Sequence, residues 1–345
     1  MIANWQQTLE AHGANIINGH VADLGNAESE RQLAANGPIV ADLSHLNLIQ
    51  FVGEDAQTFL QGQLSNDVRQ LDGANTQLTS FNSPKGRMLA NGLLWQNAPS
   101  SYIFQLPDSL REAIQKRLTM FVMRSKVQVS DVSDTWVKLG VGGKDAQDAL
   151  THVLKTLPTT EHGLVHFDGG SVMRLPGGSF ELLLAPEQAP AIWDKLIPHA
   201  KPVGSVHWDA LLIHAGIPTI LPATQEQFVA QMLNYELIGG VNFKKGCYPG
   251  QEIVARTQYL GKPKRRLYRA HIGGGEAPQA GDELYSADIP DQATGMIVNA
   301  APASAGGFDV LVVLKISSAE SQAVHFKSIQ GPKLELQSLP YAVPT

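Results

Sequence analysis

The character of the chain changes at Arg265. Beyond it, six short β-rich runs (267–272, 282–285, 294–300, 308–316, 324–329 and 334–336) are separated by Gly, Pro, Asn and Ser, and helical periodicity is absent. That pattern predicts a small antiparallel barrel or jelly-roll-like domain over 265–345. Upstream, strands and helices mix without regular alternation. Strand-like runs occur at 45–52, 77–81, 88–95, 102–106, 126–132 and 136–141, with two or three more inside 164–184. Helical spacing follows Gly53 (Ala56, Phe59, Leu60, Leu64), starts again at a capping-box pair Ser109 and Glu112, and returns at 144–154, 186–197 and 206–214. Short Gly turns such as Gly169-Gly170 join several strands, which favours α+β with antiparallel sheets over a doubly wound parallel sheet. Residues 1–39 are polar apart from a pattern around Trp5 and Leu9, and read as a lead-in that packs late or loosely. The expected organisation is therefore 1–39, a region 40–264 in two subdomains (about 40–140 and 141–264), and 265–345.

A chain of 345 residues with 43% hydrophobic and 17% charged residues is neither a disordered tail nor a coiled coil. Its longest uninterrupted aliphatic run, 310–314, is far shorter than the roughly 20 residues that cross a bilayer. Met1 to Glu10 lacks a basic start followed by an apolar stretch, so the expectation is a cytoplasmic, unprocessed protein with no membrane partner. One cysteine, Cys247, rules out an intramolecular disulfide and any stable metal centre needing several thiolates from this chain.

Charge is polarised. The whole chain is −6, yet Lys244, Lys245, Arg256, Lys262, Lys264, Arg265, Arg266 and Arg269 face one acid, Glu252, within 244–269. Such a segment points to an anionic ligand or partner. It contains Lys244-Lys245-Gly246-Cys247-Tyr248-Pro249-Gly250-Gln251-Glu252, in which the glycines and proline predict an irregular turn entering a helix near Gln251. A thiol just ahead of a helix N-terminus, among cations, is expected to favour the thiolate. The alternative is a small buried hydrophobe in a turn. None of the eleven histidines has informative spacing to Cys247, and no HExxH, GxSxG or GxxxxGK[ST] pattern occurs. Gly140-Val141-Gly142-Gly143 lacks the last glycine of a dinucleotide fingerprint and reads as a turn.

Other segments are less specific. Lys85 and Arg87 flank a Pro84 to Gly86 turn, readable as a solvated hairpin tip or an anion contact, and Arg124-Ser125-Lys126 adds a second basic tip. Trp208 sits in a helix with Leu211 and Leu212, as a core residue or a stacking platform.

Lys245 to Glu252, with Arg256 four residues on, resembles the signature of the folate-binding YgfZ-type family, relatives of the glycine-cleavage T-protein. Supporting matches are Gly53-Glu54-Asp55-Ala56, Phe59 to Asp67, Lys85-Gly86-Arg87, Arg124 to Val127, Ala215 to Pro218 and Leu233-Asn234 leading to Val241. The resemblance covers about Val40 to the C-terminus. It implies a three-part ring around a central channel that binds tetrahydrofolate or a derivative, closed by a C-terminal β-barrel. It further implies Trp208, Asn91, Lys85, Arg87, Tyr248 and Glu252 as folate contacts, with the basic segment at the channel mouth. Lys245, Gly246, Gly250, Gln251 and Arg256 carry the motif.

Family members support assembly or repair of iron–sulfur clusters in a subset of enzymes, among them radical enzymes that modify tRNA. Cys247 then acts as the key thiolate, a transient cluster ligand or a client contact, and the partners are iron–sulfur client enzymes or assembly factors. By alignment Asn91 stands where the T-protein carries a carboxylate, and an amide cannot exchange a proton near neutral pH, which argues against aminomethyl transfer. His45-Leu46-Asn47 lacks a tryptophan that some relatives carry, and His214 replaces a frequent glutamate. The alternatives are a folate-dependent one-carbon transferase, with Glu252 as a substitute acid, and an RNA-binding regulator of tRNA modification using Lys262 to Arg269 with Tyr259 and Tyr268. The phosphate contacts of such a regulator would be salt-dependent.

Overall fold

The computed structural model describes residues 1–289, 291–321 and 323–344. Three sheets carry the fold. The first orders Thr76–Asn82, Met88–Ala98, Ser101–Pro107, Leu46–Val52 and Gln128–Asp131, all antiparallel, with the helix Asp108–Val122 packed on it through Leu110, Ile114 and Leu118. This helix starts one residue earlier than its sequence pattern suggests. Asp108 Oδ1 accepts from the Ser109 amide, and no side-chain cap forms, so the expected Ser109/Glu112 capping box is corrected.

The second sheet orders Leu164–Phe167, Gly170–Arg174, Phe180–Leu184, Val137–Gly142, Ile39–Asp42 and Lys201–Val203. Only its last pair is parallel. The 140–143 glycines are not one turn, because Gly140 and Gly142 lie inside the strand and Gly143, at φ +87°, turns the chain after it.

The third sheet orders Val324–Phe326, Glu283–Ser286, Gly295–Pro302, Phe308–Lys315, Arg265–Ile272 and Leu334–Gln337, again antiparallel. A bridge between His325 and Lys333 and a 2.9 Å bond from the Phe326 amide to the Pro332 carbonyl bring its two edges together into a nearly closed barrel. The apolar run 310–314 has a physical reason. Val310, Val312 and Leu314 fill the barrel, while Leu311 and Val313 join the core shared with the first sheet. A strand buried on both faces reads as a continuous apolar run rather than an alternating one. One helix, Ile316–Ser321, interrupts this part, and it is not foreshadowed by periodicity.

Residues 1–39 correct the expectation of a loose lead-in. Trp5, Leu9 and Val21 are buried in the core of the second sheet, and Trp5 Nε1 donates to Asp42 Oδ2 at 2.7 Å. Glu30, also buried, accepts from the Leu24 amide at 2.6 Å and the Gly204 amide at 2.8 Å. Few but large apolar residues and one buried acid hold the segment, and the many polar residues between them conceal this in the sequence. No helix among the described residues is long and apolar enough to cross a membrane.

Candidate functional site

A cleft of about 470 Å³ opens where the parts of the molecule meet. It is lined by His45 and Leu46 at the start of the strand Leu46–Val52, by Val206, Asp209, Leu212 and Ile213 of the helix Ser205–His214, and by Asn299 to Pro302 of the barrel. It shares Leu46, Pro107, Leu212, Ile217 and Thr219 with a smaller pocket of about 60 Å³. That pocket is walled by Leu78, Leu93, Leu106, Leu175 and Pro176, and also holds Asn91, Gln105 and Glu181.

Glu181 is the chemically distinctive group. It is an acid in the otherwise apolar strand Phe-Glu-Leu-Leu-Leu, only 4% exposed, and its Oε2 has no hydrogen-bond partner. Burial pushes its pKa up to about 7, against the opposing effects of a Gln105 hydrogen bond and the nearby His45 and Lys138. A buried carboxylate with one oxygen left unpartnered is costly for the fold alone, and it is suited to a ligand that brings donors. Nothing in the motif pattern singled it out. The available signal was a lone carboxylate inside a strand of five buried residues.

Two imidazoles of the cleft lining each lie beside a carboxylate. His20 Nε2 lies 2.9 Å from Asp108, His45 Nε2 lies 3.4 Å from Asp209, and the two imidazoles are 6.3 Å apart. Burial disfavours the charged His45, but Asp209, Asp42 and Asp108 together raise its pKa. The expected basic mouth is therefore corrected, since no residue of 244–269 lines the cleft or its pocket. The segment is divided by its own fold. Arg266 is buried against Glu236 and the Gln231 carbonyl, and Lys245 is buried in the cysteine loop. Lys244, Arg256, Lys262 and Lys264 face solvent.

Of the residues expected to touch a ligand, Asn91 lines the pocket, with both polar atoms of its amide bonded to the chain's own backbone. Nδ2 donates to Pro218 O at 2.7 Å and Oδ1 accepts from the Ile220 amide at 2.8 Å, so Asn91 positions the wall formed by 218–220. Trp208 is buried over Gly140, where a Cβ would lie 2.4 Å from its ring, and Gly140 is the strand partner of Glu181. Trp208 therefore packs behind the pocket and does not line it. Lys85, Arg87, Tyr248 and Glu252 do not line it either. Arg87 donates to the Gln227 carbonyl and borders a separate groove with Arg265 and Glu283.

Tyr248 and Glu252 belong instead to the loop and helix that carry Cys247, which is exposed. Lys245 ties the loop down by donating to the Gln61 carbonyl at 2.7 Å and to the Leu64 carbonyl, with its ammonium 5.0 Å from the centre of the Tyr248 ring. Burial pulls its pKa down to about 8, with Asp67 opposing. Gly250, at φ +77°, starts the helix Gln251–Tyr259 and rests on the Ser83 to Gly86 turn. The motif thus presents Cys247 to solvent from a loop anchored at Lys245 and Gly250. Glu252 is exposed in the first turn of that helix, away from the cleft, which removes it as the substitute acid.

Comparison with known proteins places this geometry. The GCVT N-terminal domain model matches residues 24–211. The tRNA-modifying protein YgfZ of Pectobacterium carotovorum subsp. carotovorum (strain PC1) is 30% identical over 333 residues, covering 95% of this chain and 99% of that protein. The tRNA-modifying protein YgfZ of Sodalis glossinidius (strain morsitans) is 32% identical over 300 residues, covering 86% and 90%. The fold matches the glycine cleavage system aminomethyltransferase T from Bartonella henselae with a TM-score of 0.78 at 17% identity, over 99% of this chain and 98% of that one. With a T-protein-like fold, a match to the GCVT N-terminal domain and near full-length likeness to YgfZ proteins, the chain belongs to the YgfZ family.

Proposed function

We propose that the protein binds a tetrahydrofolate in the cleft and supports iron–sulfur enzymes, including ones that modify tRNA, through the exposed Cys247. The observation that carries the folate reading is Glu181. A pterin ring presents a ring N–H beside an amino group, two parallel donors that match a carboxylate, and its flat faces suit the apolar walls of the pocket. Glu181 would hold that edge, Leu78, Leu93, Leu175 and Pro176 would sandwich the ring, and the wider cleft would take the rest of the molecule. Bound folate would supply one-carbon chemistry, and the residues here supply recognition.

The chain's single cysteine cannot hold a cluster stably, so any cluster contact at Cys247 is transient and shared with a partner. No group of three or more His, Cys, Asp or Glu suited to a metal occurs among the described residues. A second reading, a folate-dependent one-carbon transferase, draws support from the pKa of Glu181 near 7, suited to proton transfer inside the cleft.

The test is complementation. Cells lacking the protein receive wild type, Glu181→Gln or Cys247→Ser, and the nucleosides made by iron–sulfur tRNA-modifying enzymes are quantified by mass spectrometry. Wild type restores them and both variants fail. Full restoration by Cys247→Ser overturns the thiolate role, and turnover of a methylene-tetrahydrofolate by purified protein favours the transferase.

A further inference from the structure

Ten large hydrophobic side chains are exposed among the described residues, and six lie on or just after two helices. Met120, Phe121 and Met123 stand at the end of Asp108–Val122, with Met123 87% exposed. Ile253, Tyr259 and Leu260 stand on and just after Gln251–Tyr259, with Leu260 83% exposed. Each group reaches a segment that holds the cysteine loop or its helix. Phe121 borders a groove with Gly62 and Gln63, and the neighbouring Gln61 and Leu64 carbonyls hold Lys245 beside Cys247. Ile253 packs on Gly86, next to the exposed Lys85.

Cations rim this apolar group. Lys85, Arg124, Lys244, Arg256, Lys262 and Lys264 are exposed, and none has an ion-pair partner among the described residues. Gly246 adds an independent sign. Its φ is not positive and a Cβ there would meet nothing within 4 Å, so the chain's own fold does not require a glycine beside the cysteine. Contiguous exposed apolar surface rimmed by polar groups marks a protein-binding site, and unpaired cations select an acidic partner.

We propose that the exposed apolar residues of these two helices form, with the cysteine loop, the docking face for an acidic protein with an apolar contact centre, seated so closely over Gly246 that a side chain there would block it. This deepens the proposed function by placing the partner, and it rests on Cys247 meeting a client there. RNA fits the charge but has no use for Met120, Phe121, Met123 and Leu260.

The test is photo-crosslinking in the native cell, with benzoylphenylalanine replacing Phe121, Leu260 or, as a control on another surface, Leu33. Positions 121 and 260 should yield the same discrete, ribonuclease-resistant adduct, absent from position 33, with an acidic protein. Lys262→Glu with Lys264→Glu should reduce its yield at least fivefold, and Gly246→Leu should abolish it without shifting the unfolding midpoint. Ribonuclease-sensitive adducts, an adduct of two copies of this chain, or no adduct above the control would overturn the proposal. Folate binding by the purified variants is scored separately, so loss of the face and loss of the folate reading are distinguishable.

Discussion

Gly86 and Gly250 meet backbone to backbone. Both have positive φ, +71° and +77°, and a Cβ on Gly250 would lie 2.4 Å from the Gly86 Cα. Two segments far apart in sequence are thereby locked together, and the lock fixes where the cysteine loop enters its helix. Gly250→Ala combines a left-handed backbone with an unavoidable clash and is expected to destabilise the protein by about 2–5 kcal/mol. Gly246→Ala, in open space with ordinary φ, should change stability by less than about 0.5 kcal/mol. Urea unfolding midpoints of the two variants check the contrast, and equal midpoints would refute the lock.

Lys245 is the other anchor of the loop. Lys245→Ala leaves the Gln61 and Leu64 carbonyls without their charged donor and should cost about 1–3 kcal/mol. Hydrogen exchange should quicken at residues 244–248 while the barrel strands remain protected. Unchanged exchange in the loop would contradict the anchoring role.

Glu181 makes stability depend on pH in a stated direction. Its folded pKa, about 7, lies above its ordinary value of 4.5, so between these values the folded state binds more protons than the unfolded one and stability falls as pH rises. The penalty, roughly 3 kcal/mol, is fully present above about pH 7 and absent below about pH 4.5. Glu181→Gln should therefore raise Tm relative to wild type at pH 8 and have little effect at pH 5. Thermal melts at both pH values decide it.

Asp309 joins the helix Ser205–His214 to the barrel. His214 Nε2 lies 2.7 Å from one carboxylate oxygen and His271 Nδ1 lies 3.0 Å from the other. Burial opposes ionisation of Asp309, but the two imidazoles hold its pKa below the usual value. The sign is opposite to that of Glu181, with stability present above about pH 4 and lost as pH falls through the lowered pKa. Asp309→Asn should lower Tm at pH 6, and the two melting curves should converge toward pH 3. A constant difference across this range would rule out the charged clamp.

Strands were legible where turns punctuate them, which is why all six C-terminal runs appear in the barrel. The turn into the motif's helix was legible because Gly250 serves a backbone need that few other residues meet. Residues 1–39 hid their packing because Trp5 and Glu30 hold them through single long-range hydrogen bonds, which leave no periodic trace. The basic segment reads as one surface because composition cannot show that Arg266 turns inward to Glu236 while Lys262 and Lys264 stay outside. Glu181 escaped notice because its significance lies in an empty hydrogen-bonding position, a property of three-dimensional packing.

Calorimetric titration of tetrahydrofolate at pH 8 into wild type, Glu181→Gln and Cys247→Ser tests the central claim most directly. Wild type and Cys247→Ser should bind one equivalent with equal affinity, and Glu181→Gln should bind roughly 10- to 100-fold more weakly, the worth of a charged hydrogen bond. Equal affinity in all three, or no binding to wild type, would contradict a folate cleft centred on Glu181.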